Sequence, residues 1–233
     1  MRILSILSVV AVGASLTSVS AQTIAQWTFE TSPPADLANS ATIDGIAADF
    51  GTGTASGLHA SALADWSTPA GNGSANSLSV NEWAVGDYFQ FSLGTVGYSG
   101  IGVSFDQTSS STGPRDFSLQ YSTDGSSFTT FGNYVVLQNG GAPNGSWNGT
   151  TYQSAYTFAF DLSSISAINN SPNVYFRLVD MSTVSANGGT VATTGTDRVD
   201  NFTVYVVPEP TALTLGAIGF GLLVAGQRLF RRN

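Results

Sequence analysis

Phe89-Gln90-Phe91-Ser92-Leu93 alternates apolar and polar residues without a break, and a period of two is what a strand with one buried face produces. The same period recurs in Ile101, Val103 and Phe105, in Phe117, Leu119 and Tyr121, in Val174, Phe176 and Leu178, and in Phe202, Val204 and Val206. Turn chemistry separates these runs. Tyr121-Ser122-Thr123 leads into Asp124-Gly125 and then Phe128, a pattern that predicts a hairpin because Asp-Gly accepts positive φ at little cost. Further strands are expected near Thr23–Glu30, Leu78–Trp83, Phe131–Leu137 and Tyr152–Asp161. No segment between the termini carries a 3.6-residue stripe. About nine strands joined by Gly-, Ser- and Asn-rich turns predict an all-β, two-sheet β-sandwich of jelly-roll type. The stretch Thr31–Asn76, rich in Ala, Gly and Ser, is too weakly patterned to assign.

Composition bounds what such a domain can do. The chain has 233 residues, 42% hydrophobic and 11% aromatic, enough for a real core. It has no lysine, and between its two atypical ends only Arg115, Arg177 and Arg198 are basic. The formal net charge of -8 repels a phosphate backbone, which argues against nucleic acid as a partner. Cysteine is absent, so disulfides, thiolate metal sites and cysteine nucleophiles are excluded.

Both ends read as addresses. Arg2, the apolar run Ile3–Leu16 and the small-x-small pattern Val19-Ser20-Ala21 predict a signal peptide over residues 1–21, cut before Gln22. That leaves a sandwich domain over residues 22–206 and a tail over 207–233. The tail reads Val207-Pro208-Glu209-Pro210, then an apolar stretch, then Arg228, Arg231 and Arg232. Thr211–Phe230 is 20 residues, which as a helix at ~1.5 Å per residue spans a bilayer core of ~30 Å. A single transmembrane helix is expected there, with the terminal arginines cytoplasmic and the sandwich outside. The prolines end the last strand and hold the residues around Glu209 extended.

That tail resembles the PEP-CTERM sorting signal of Gram-negative bacteria. The resemblance implies an exosortase as partner, export across the inner membrane, membrane anchoring, and sorting to the envelope or an extracellular polysaccharide matrix. Within the sandwich, Trp27 to Glu30, Tyr121 to Gly125, Val174 to Arg177 and Arg198 to Phe202 resemble jelly-roll domains of PEP-CTERM cargo, which are similar to carbohydrate-binding modules. This second resemblance implies a structural calcium shared by Glu30 and Asp200, the one cofactor it suggests. Parity puts Asp200 on the face of Phe202 and Val204 and hence inward, where its carboxylate needs a cation or an arginine, Arg198 or Arg177. Glu30 has the opposite parity to Trp27 and Phe29, so the pair converges only across a bulge.

A catalytic role finds little support. The single histidine, His59, has no acid or cysteine near it in sequence, and Asp106, Asp116, Asp161 and Asp180 read as caps or turn formers at strand ends. We therefore assign no catalytic residue and expect a non-enzymatic structural or adhesive protein, with a carbohydrate-binding module as the alternative. For the latter, Trp147 with Asn144 and Asn148 in a glycine-rich loop are the candidate contacts with polysaccharide, and burial of Trp147 against the sandwich is the competing reading.

Overall fold

The computed structural model describes residues 21–208. The expected leader up to Ser20 and everything from Glu209 onward, including the helix over 211–230 and Arg228, Arg231 and Arg232, lie outside the described residues. Ala21–Val207 forms one compact unit. Its strands are β1 (Gln22–Trp27), β2 (Thr42–Ala47), β3 (Thr54–Leu58), β4 (Trp66–Ser67), β5 (Leu78–Val80), β6 (Tyr88–Leu93), β7 (Ile101–Ser109), β8 (Asp116–Ser122), β9 (Thr129–Val135), β10 (Thr157–Asp161), β11 (Val174–Asp180) and β12 (Asp197–Val206). Single 3-10 turns at Ser154–Tyr156 and Ser166–Ile168 are the only helical pieces among the described residues.

The strands build two antiparallel sheets. The first runs β10-β7-β12-β5-β4, with β1 also paired to β12. At ten residues, β12 is long enough to take two partners along one edge: Asp197–Val199 pair with β5, and Phe202–Val206 with β1. The second sheet runs β2-β3-β6-β11-β8-β9. The periodic runs read from the sequence supply its centre, where β11 lies between β6 and β8.

The sheets meet through aromatic rings. Phe91 of β6 stacks on Phe202 of β12 with ring centroids 3.6 Å apart, and Trp27 of β1 packs edge-on against both. Phe89, Phe105, Phe117 and Phe176 are fully buried around them. Each such side chain contributes about 1.5–3 kcal/mol relative to exposure. Tyr121 and Val206, expected on the buried face, are only partly buried because they lie toward the strand ends.

The stretch left unassigned holds β2, β3 and β4. In β3 the core-facing residues are Ala55 and Gly57. A Cβ at residue 57 would overlap the Trp66 ring, which fills that volume instead. The strand buries its face with a neighbour's indole, so its own residues show no apolar alternation.

Candidate functional site

The outer face of the second sheet is polar, aromatic and open. Residues Tyr175 and Arg177 of β11 alternate with core residues Val174, Phe176 and Leu178, so both point away from the core. Cross-strand register sets Ser92 beside Tyr175 and Gln90 beside Arg177 from β6, with Gln120 of β8 on the other side of Arg177. Thr54 and Ser56 of β3 continue these two rows. At the Tyr175 end lies a groove of about 300 Å³, lined by Tyr175, by the polar Ser92, Thr54 and Asn173, by the apolar Leu93, Pro172 and Val174, and by the chain around Gly53 and Gly94. An aromatic ring beside hydroxyl and amide groups along a groove matches the chemistry of a polyol or sugar chain: ring faces stack, and hydroxyls exchange hydrogen bonds.

Arg177 dominates the middle of that face. Its guanidinium is sandwiched between the rings of Tyr88 and Phe128, with its carbon 3.8 Å and 3.6 Å from the two centroids. Nε donates to Gln90 Oε1 at 2.8 Å. Burial lowers its pKa from the ordinary arginine value, and Tyr88 acts in the opposite direction.

Asp200 lies on the other sheet, at the foot of a bulge. The register between β12 and β7 shifts between Asp200 and Thr203, where Asn201 adopts φ 52. A one-residue slip exchanges the two faces. Asp200 therefore stands opposite Asp106 on the outer face of the first sheet, not beside Phe202 and Val204 as parity predicts. It is buried all the same, because the segment Gly71–Asn76 covers it. Oδ2 accepts from the Asn72 N–H at 2.9 Å and the Ser74 hydroxyl at 2.7 Å, and Oδ1 from the Asn201 N–H at 2.7 Å. Neither Arg198 nor Arg177 reaches it, which corrects the arginine alternative: backbone and hydroxyl donors satisfy the carboxylate. Burial, with Asp106 nearby, raises its pKa to about 6. The inward acid is Asp197, which binds Gln107 and Ser109 inside the sandwich.

Glu30 does not meet Asp200 directly. Its two oxygens take the N–H and side-chain amide of Asn76, so the two acids pin one segment at separate points. A Cβ on Gly71 would fall among Ser74 Oγ, the Asn76 carbonyl oxygen and Asp200 Oδ2, closer than any real contact, so three oxygens converge where only glycine fits. Calcium takes six to eight oxygens. These three pack around the glycine itself and leave no room for an ion at that point, and among the described residues no group of three His, Cys, Asp or Glu converges.

Trp147 is buried, not presented. It is 4% exposed, its indole N–H donates to the Ala70 carbonyl at 2.7 Å, and its ring packs edge-on to Tyr156. Asn148 spends its side-chain oxygen on Thr150 and Thr151 and its carbonyl on the Gly73 N–H. The glycine-rich loop is thus a packed clasp over the same segment that Asp200 holds, which replaces the ligand-contact reading of Trp147 and Asn148. Asn144 is half-buried, its N–H closing a turn onto the Gly141 carbonyl.

The remaining acids are held individually by nearby donors or by burial. Asp106 accepts from Asn201 and Thr157, Asp116 pairs with Arg115, Asp161 caps Ser163, and Asp180 is buried at the end of β11. His59 lies between Trp66 and Trp83, and burial lowers its pKa to about 4. The neighbouring Asp87 Oδ2 is 3.4 Å from its Nδ1.

No protein-family model matches the chain, and no curated protein matches it. Among solved structures it is similar to the K2 cleaved adhesin domain of Lys-gingipain, at 15% identity over 78% of this chain and 97% of that one, with TM-score 0.41. It is similar to the CBM22-1-GH10 modules of Clostridium thermocellum xylanase 10B in complex with xylohexaose, at 12% identity, TM-score 0.43, over 82% of this chain and 30% of that one. TmCBM61 in complex with β-1,4-galactotriose aligns at 11% identity over 77% of this chain and 94% of that one, with TM-score 0.40. With such low scores, the fold rests on this chain's own strand order and the site on its own side chains.

Proposed function

We propose that this chain is an exported, non-enzymatic adhesive module that binds polysaccharide on the outer face of its second sheet. The observation that carries the reading is Tyr175, an aromatic side chain turned outward at an uncharged groove that sets hydroxyl and amide groups (Thr52, Thr54, Ser92, Asn173) beside the apolar Leu93, Pro172 and Val174. The fold reading goes one step finer. The order β5-β12-β7-β10 set against β6-β11-β8-β9 supports a jelly roll, two Greek keys wound together. The tail Val207–Asn233 supports display by a PEP-CTERM sorting signal, with an exosortase and the membrane as partners. A structural calcium, where bound as the resemblance implies, would be held by Asp200 and would tie the covering segment to β12.

Tyr175→Ala tests the binding face. Retention on extracellular polysaccharide is expected to be lost while the thermal midpoint stays within about 1–2 °C, as for a surface change under 1 kcal/mol. Equal retention of wild type and variant on every polysaccharide tried would remove this face as the binding surface.

A further inference from the structure

We infer that the ligand of this face is a carboxylated saccharide, a chain bearing uronic-acid-type units, read by Arg177. The inference rests on the glycan-binding reading above and narrows it. Arg177 is a half-buried cation set among neutral groups: Gln90, Gln120 and Ser56 occupy its row. Among the described residues, the one arginine with a carboxylate within 4.0 Å is Arg115, held by Asp116. Arg198 has the charge of Asp197 acting on it. Arg177 has neither, although the chain carries 15 acidic residues against 7 basic ones; the net charge disfavours a polyanion at long range, where salt screens it, and leaves this local cation for a single carboxylate at contact.

Its geometry is that of a prepared anion clamp. Tyr88 and Phe128 cover both faces of the guanidinium and Gln90 holds Nε. The terminal Nη1 and Nη2 groups donate to no described residue. A planar guanidinium fixed in this way loses little freedom when a carboxylate docks on its free edge, and such charge-assisted pairs are the strong ones. Arg177 and Tyr175 are two residues apart on β11, so their side chains stand about 7 Å apart on one face. One sugar ring can therefore lie on Tyr175 while a carboxylate on the same or the adjoining unit reaches Arg177.

The test is a matched pair of polymers: polygalacturonate and the same polymer with its carboxylates reduced to alcohols, with dextran sulfate as a third probe. The full chain in neutral detergent is titrated with each by calorimetry. Wild type is expected to bind polygalacturonate at least about tenfold more tightly than its reduced form, and Arg177→Gln is expected to bind both at the weaker level. Equal binding of the two polymers by wild type overturns the inference and leaves the glycan reading standing, as does a preference that survives Arg177→Gln. Dextran sulfate bound as tightly as polygalacturonate overturns the carboxylate assignment in favour of polyanions at large. Absence of binding to any of these polymers and to neutral polysaccharides, with Tyr175→Ala indistinguishable from wild type, removes the binding face itself and the inference with it. The polymer comparison needs no variant, so the answer does not depend on how Arg177→Gln folds.

Discussion

Asp200 shows what one residue does to a β-domain when it is buried as an acid. Its carboxylate holds the Asn72 N–H, the Ser74 hydroxyl and the Asn201 N–H at 2.7–2.9 Å. Asp200→Ala strands these donors away from water, and each orphaned donor costs about 1–3 kcal/mol, though not additively. The expected fall in thermal midpoint is roughly 5–10 °C for a domain of this size. Excess EDTA separates the hydrogen-bond account from calcium. If calcium is held there, chelation lowers the midpoint of wild type and leaves Asp200→Ala where it was. A wild-type midpoint indifferent to EDTA removes the cation, and the hydrogen bonds then account for the site alone. The sequence marked Asp200 as a buried acid in need of partners, and that was legible. Its face and its partners were not, because they depend on a bulge at Asn201 and on a segment more than a hundred residues upstream. Trp147 failed as a sequence inference for a similar reason: glycine and asparagine around it suggested an open loop, but its indole N–H had a distant carbonyl, at Ala70, to fold onto.

At the scale of elements, β11 carries three roles in seven residues: core through Val174, Phe176 and Leu178, the proposed binding face through Tyr175 and Arg177, and a buried acid at its end. Asp180 is 1% exposed, accepts only a long bond from the Ser182 N–H, and leaves Oδ2 without a partner. Desolvation first, then the charges of Asp87 and Asp116, raise its pKa to about 7. The folded chain therefore holds a proton that the unfolded chain has already released, so Asp180 costs stability progressively as pH rises from about 4 to about 7, and no further above that. His59, held neutral with its pKa near 4, acts in the opposite sense below its ordinary value of about 6.5, and partly masks the effect in wild type. The difference between variants isolates it. From pH 6 to 8, Asp180→Asn is expected to gain about 1 kcal/mol on wild type, widening the gap in thermal midpoint by about 2–4 °C. A gap that stays constant across that range would mean Asp180 is already ionised in the folded chain. Strands with large apolar residues on one face were legible from the sequence. β2, β3 and β4 were not, since β3 offers only Ala55 and Gly57 to the core and borrows its bulk from Trp66.

On the scale of the whole molecule, the folded unit ends at Val207, the first residue of the tetrapeptide with which the proposed sorting signal would begin. Every buried apolar residue of the described core lies between Ile24 and Val204, and the last strand's hydrogen bonding runs out at Val207, whose N–H donates to the Gly100 carbonyl at 2.7 Å. Pro208 has no N–H to continue the ladder, and Pro210 two residues on repeats the block. Under the proposed sorting signal, the tetrapeptide would serve the processing enzyme and the apolar stretch after it, 20 residues from Thr211 to Phe230, would hold the membrane. These two properties belong to different residues, so they can be removed separately. Deleting Leu213–Asn233 is expected to release a folded protein into the medium with its thermal midpoint unchanged, since the core loses nothing. Changing Pro208-Glu209-Pro210 to alanines keeps the apolar stretch, and the chain is expected to stay membrane-held and uncut, seen as a larger species in the membrane fraction on an immunoblot. Normal processing of the alanine variant would leave a plain anchor and remove the sorting signal.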